Sequence, residues 1–79
     1  MAQIDSARFE RVDKKRCNVH DKVQSTFTVF EIEDKKYVQI DMYGKDTRET
    51  DKGSSQIIQF DKTSAKIIAD LLCKEFKIT

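Results

Sequence analysis

The sequence predicts an α+β domain in which antiparallel strands come first and one helix follows. Three observations predict it. YVQIDMYG, residues 37–44, alternates without a break, with Val38, Ile40 and Met42 on one side and Tyr37, Gln39, Asp41 and Tyr43 on the other. STFTVFEIED, residues 25–34, lies just before it and is rich in the Thr, Phe, Val and Ile that strands favour. Residues 62–77, KTSAKIIADLLCKEFK, place apolar side chains at helical spacing.

Taking the elements in order, residues 1–24 carry the weakest pattern. ARFERVDKKRC fits a short strand or a helical turn begun by Ser6, since Phe9 and Val12 suit either period. A strand over about 18–24 would complete an antiparallel meander ahead of the hairpin, giving four strands and then a helix (ββββα). In STFTVFEIED the apolar residues change parity, from Phe27 and Val29 to Phe30 and Ile32, which predicts a bulge or a strand covered on both faces. Asp34-Lys35 leaves so short a gap before the next strand that a tight hairpin is expected. GKDTRETDKGSS, residues 44–55, is polar and bracketed by Gly44 and Gly53, and a loop of this length in a small domain is usually functional or mobile. SQIIQF, residues 55–60, reads as the last strand. Asp61 is then placed to cap the helix, because its carboxylate can accept from the free amides of the first turn.

On a helical wheel, Ala65, Ile67, Ile68, Leu71, Leu72 and Phe76 spread over about 180°, where a helix lying on one sheet needs an apolar stripe of about 100°. The surplus breadth predicts a second surface, most simply another copy of the chain, with Ile67, Leu71 and Phe76 at the dimer interface. A helix sunk deeply in its own core is the alternative.

With 79 residues the chain is a single domain, 1–79, with 24–76 as its best-defined part and 1–14 expected to be loose. A chain this small buries only about 60% of the surface its unfolded form exposes, and such cores are often supplemented by association. Charged residues make up 37%, but 15 basic and 14 acidic side chains leave a net charge of only +1. That balance does not announce a strongly salt-driven nucleic-acid binder, and it leaves room for a local basic strip. No run of 18 apolar residues is present, so no membrane-spanning helix is expected. Residues 1–15 hold no apolar core of a secretory signal. Cys17 and Cys73 then read as free thiols in a reducing cytoplasm.

The search for catalytic chemistry finds little. Cys17 and His20 could form a nucleophile–base pair, or half a zinc site with Cys73 as a third ligand, but a second ligand pair at fixed spacing is missing. The two glycines are nine positions apart and form no phosphate-binding fingerprint. The carboxylates Glu31, Glu33 and Asp34 alternate with apolar groups or precede lysines, as on a solvated face. The expectation is a non-enzymatic protein with no cofactor and no metal.

Binding remains. Lys14, Lys15 and Arg16, flanked by Arg11 and Lys22, are the most one-sided charge in the chain. Lys35 and Lys36 stand at the hairpin, and Lys45, Arg48 and Lys52 stud the long loop. Cations around a sheet face with aromatics suit a single strand of nucleic acid, the cations pairing with phosphates and the rings stacking on bases. Tyr37 and Tyr43 are about 20 Å apart along an extended strand, so they cannot sandwich adjacent bases. Tyr43, next to Gly44 and the charged loop, is the better placed for recognition, and half-buried strand tyrosines are the alternative reading.

The succession of hairpin, polar loop ending in Lys-Gly, apolar strand and acid-capped helix, carried by KKYVQIDMYG, DKGSSQIIQF and DKTSAKIIADLL, resembles the positive-cofactor-four transcription coactivators and their small bacterial and phage relatives. The whirly and Pur-type domains share strands followed by a helix. The resemblance covers about residues 24–76. It implies a curved four-stranded antiparallel sheet backed by a helix, a homodimer, and binding of single-stranded DNA. By position it puts Tyr43, Lys45, Arg48 and Lys52 at or near the strand-binding face, with Lys35 and Lys36 at the hairpin edge. The sequence departs from that pattern in having no tryptophan and in setting Asp46, Glu49 and Asp51 among the loop cations. The competing expectation is a bacterial or phage protein-interaction module that modulates a larger nucleic-acid enzyme or defence complex.

Overall fold

A computed structural model describes residues 1–44 and 54–78. Four strands, β1 (Ala2–Gln3), β2 (Ser25–Ile32), β3 (Lys35–Met42) and β4 (Gln56–Phe60), precede one helix, α1 (Lys62–Phe76), with a 3-10 turn at Ser6–Arg8. The sheet order is β1-β4-β3-β2. The α+β arrangement of four strands and a C-terminal helix is therefore the one expected, with one difference in the sheet. β2, β3 and β4 pair antiparallel, whereas β1 runs parallel to β4, so the sheet is mixed.

That difference traces to which segment supplies the fourth strand. Residues 18–24 form no strand. Their two valines flank Asp21, so the stretch has no continuous apolar face to lay on a core. The outer edge of β4 is taken instead by Ala2 and Gln3, in register with Ile58 and Gln59, and the Ile4 amide extends the ladder by donating to the Gln59 carbonyl at 2.9 Å. Asp5 then caps the short turn, its carboxylate accepting from the Ala7 amide at 3.0 Å.

The β2–β3 register runs unbroken from Ser25↔Met42 to Ile32↔Lys35, so the parity change in β2 is not a bulge. It sends Phe30 to the opposite face from Phe27, where its ring stacks on Tyr37 with centroids 5.5 Å apart. The hairpin turn is Glu33-Asp34, one position earlier than the expected gap, because Lys35 already pairs with Ile32. Both turn residues have positive φ, 53° and 65°, as the mirror-image two-residue turn requires to follow the twist of the strands.

Asp61 caps α1 reciprocally with Ser64: the Ser64 amide donates to the Asp61 carboxylate at 2.8 Å, and the Asp61 amide donates to the Ser64 hydroxyl at 3.1 Å. Ser64 is only 1% exposed. The helix ends where Lys77 turns left-handed at φ 56°, and the Ile78 amide reaches back to the Cys73 carbonyl at 3.0 Å.

Cross-strand register sorts the sheet into two faces. One carries Phe27, Val29, Val38, Ile40, Met42, Ile58 and Phe60; the other carries Thr26, Thr28, Phe30, Tyr37, Gln39, Asp41, Ile57 and Gln59. The first is the apolar side that alternation predicts, but its members are half-buried or exposed. Among the described residues Tyr43 is the one apolar side chain that is buried, at 8% exposure.

Candidate nucleic-acid interface

The polar face is organised by a row of amides. Gln3, Gln59, Gln39 and Thr28 stand opposite one another across all four strands. The Gln59 side-chain amide donates to the Gln39 carbonyl oxygen at 2.8 Å, and Gln39 donates to an Asp41 carboxylate oxygen at 2.8 Å. Ser54 donates to the other Asp41 oxygen at 2.9 Å. Asp41 thus holds the chain of donors in one direction and anchors the segment entering β4. Such a network stiffens the face, because each group accepts or donates in a fixed sense.

At the hairpin end of β3 a groove of about 760 Å³ is lined from both sides of the strand, by Lys35 and Tyr37 on the polar side and by Lys36, Val38 and Phe60 on the apolar side, together with Lys62, Asp34 and Asp61. The β3–β4 register assembles it. With Val38 opposite Phe60, the next residues along each strand, Tyr37 and Lys36 on one side and Asp61 and Lys62 on the other, are brought alongside. Tyr37 is half-buried and backed by Phe30. Of the two carboxylates, Asp61 is already engaged. The Ser64 amide and hydroxyl hold its pKa below the ordinary carboxylate value, and the charge of Lys35 lowers it a little further. Three ammonium groups against two carboxylates, one of them committed to the cap, leave the groove cationic.

Tyr43 sits elsewhere and differently from the expectation. It is 8% exposed. Its hydroxyl is hydrogen-bonded with Thr26 at 3.1 Å, and its amide donates to the Gln24 carbonyl at 3.0 Å. In this chain its ring is a packed side chain and presents no free stacking surface. Lys45, Arg48 and Lys52 lie outside the described residues. Lys35, Lys36 and Tyr37 line the groove, Lys62 lines it with them, and Phe30 backs Tyr37, the last two not having been singled out as binding residues. Only the pairing of β3 with β4 brings Lys62 to Lys36, and only the cross-strand pairing of β2 with β3 brings Phe30 to Tyr37.

The residues expected at a dimer interface separate as well. Ile67 and Leu71 border a shallow groove with Phe9 and Val12 of the same chain and remain 39% and 40% exposed. Phe76 is 70% exposed. Lys14, Lys15 and Arg16 lie on an exposed segment outside regular structure, and so do Cys17 and His20. Both cysteines are free, and among the described residues no three metal-ligating side chains come together. No helix among them is long and apolar enough to cross a membrane. Comparison with known proteins finds no matching family model, no similar curated protein and no similar solved structure.

Proposed function

We propose that the protein is a non-enzymatic binding module that takes a single strand of nucleic acid along the hairpin groove. The observation that carries this reading is that Lys35, Lys36 and Lys62 line one groove with Tyr37, whose ring is backed by Phe30. The ammonium groups supply phosphate contacts, and the supported ring supplies a platform for a base, worth about 1–3 kcal/mol by alanine substitution in comparable sites. Gln3, at the end of the glutamine row, also lines the groove and offers a donor and an acceptor to base edges without requiring a particular sequence.

A fluorescence-anisotropy titration with a labelled single-stranded oligonucleotide at several salt concentrations tests it. Three phosphate contacts predict a log–log salt slope of about −2, and Lys36→Ala or Lys62→Ala each reduces it by about 0.7. Tyr37→Ala weakens binding without changing the slope. No binding at low salt overturns the reading. The alternative, a protein-interaction module acting on a larger nucleic-acid enzyme, is favoured by the exposed apolar side chains of β2 and α1, and it predicts binding to a protein partner that is insensitive to Lys36→Ala.

A further inference from the structure

Among the described residues the sheet has one long open edge, and its chemistry points to what covers it. β2 is the outermost strand on its side, eight residues long, while the opposite edge is the two-residue β1. Exposed edges of natural sheets are usually blunted by proline, lysine, bulges or extreme shortness. β2 has none of these: its sequence is STFTVFEI, its register is unbroken, and Glu31 is its one charge. Phe27 and Val29, 74% and 52% exposed, protrude from this strand on the apolar face.

The hydrogen-bond alternation along β2 follows from one bond. The Tyr43 amide donates to the Gln24 carbonyl, which makes every even residue of β2 face β3. The main-chain groups of Ser25, Phe27, Val29 and Glu31 therefore point away from the sheet.

We infer that a second copy of the chain pairs antiparallel with β2, making one continuous eight-stranded sheet. A two-fold axis normal to the sheet keeps the apolar faces of both copies on one side, and the outward groups at odd positions allow this only in even registers. Three registers then compete, and the one centred on Phe27 sets Phe27 against the partner's Phe27 once and leaves both valines against serines. The one centred on Val29 sets Phe27 against the partner's Glu31. The one centred on Thr28 sets Phe27 against the partner's Val29 twice over and Glu31 against the partner's Ser25. Aromatic–β-branched pairs stabilise sheets, so the Thr28-centred register is selected. The edge needs only its own sequence as partner, and a self-complementary surface is what a two-fold dimer uses. This inference stands apart from the nucleic-acid reading and survives its failure.

The test uses the full chain. Sedimentation equilibrium at tens of micromolar gives twice the 9.2 kDa chain mass. In a Cys17→Ser/Cys73→Ala background, Thr28→Cys oxidises to a covalent dimer, because directly opposed non-hydrogen-bonded residues are about 4.5 Å apart at Cα, within disulfide reach. Thr26→Cys, which faces the partner's Phe30, does not. Val29→Pro removes an amide the monomer leaves unused and gives a monomer with an unchanged far-ultraviolet dichroism spectrum. Phe27→Lys gives the same result without altering the backbone, weakening association at least tenfold. A monomeric parent chain, or a dimer unaffected by Phe27→Lys, overturns the proposal. Cross-linking through Val29→Cys in place of Thr28→Cys overturns the register.

Discussion

The hairpin turn offers a perturbation whose sign separates backbone conformation from charge. Asp34 occupies the left-handed region at φ 65°, where an L-residue other than glycine or asparagine is held at a cost of about 1–2 kcal/mol, reduced for a short polar side chain. Asp34→Ala and Asp34→Gly both delete the carboxylate from the groove, and only the first keeps a Cβ in the left-handed position. The difference between them isolates the conformational term, expected at about 1 kcal/mol in favour of glycine. For a chain of this length unfolding entropy is near 0.17 kcal/mol per kelvin, so the pair should differ in Tm by roughly 6 °C. Glu33→Asn added to Asp34→Gly supplies the residue pair this turn favours, with a further gain of about 0.5 kcal/mol. Thermal unfolding followed by circular dichroism at one fixed protein concentration measures all three, since association makes Tm depend on concentration. The same two single variants should tighten oligonucleotide binding equally, because both remove the one groove carboxylate not engaged in the helix cap. Equal Tm values for the alanine and glycine variants would refute the positive-φ turn, and unequal oligonucleotide affinities would refute the electrostatic role of Asp34.

Further outcomes follow from the caps and the buried hydroxyl. Asp61 has a folded pKa below its ordinary value of 3.8, so its cap contributes fully above that value and loses its contribution as pH falls through the folded pKa. The Tm difference between the parent and Asp61→Asn, which caps without titrating, should therefore shift in favour of asparagine only in acid, as read by melts from pH 6 down to pH 2. Lys77→Gly should raise stability by about 0.5–1 kcal/mol in urea unfolding, because Lys77 holds φ 56° at the helix end. Thr26→Val should cost about 1–2 kcal/mol by leaving the Tyr43 hydroxyl without its partner, and Thr26→Ser should restore most of it.

What the sequence reveals here is what local period and local caps determine. The alternation of residues 37–44 and the helical spacing after Asp61 are repeated signals, each reinforced over many residues, and both elements stand where they are expected. A two-residue strand has no period to read, so Ala2–Gln3 was not visible, and its parallel pairing depends on an edge left free at the far end of the chain. Tyr43 shows the other limit. Its position beside a glycine and a charged loop suggests exposure, but Thr26, 17 residues away, reaches its hydroxyl only once β2 and β3 are paired. The groove cations divide the same way. Lys35 and Lys36 are contiguous and legible as a pair, and Lys62 joins them through the Val38↔Phe60 register.

If the proposed strand binding holds, the burial of Tyr43 places its centre at the hairpin end of β3 and not at the loop end, and the geometry of the open edge gives that placement a consequence. In the Thr28-centred pairing, Ile32 of each copy lies four residues from the axis, so the two hairpins sit about 27 Å apart along the strand direction. The two grooves are then related by the two-fold across one continuous sheet. A net charge of +1 per chain is too weak to hold a strand through a diffuse field. Two localised clusters of three ammonium groups on a stiff sheet are a different case, because a ligand long enough to touch both gains from the second contact at high effective concentration. Near-neutral overall charge and strand binding are thus compatible in this chain, provided the cations are concentrated at the hairpins and the sheet between them is continuous.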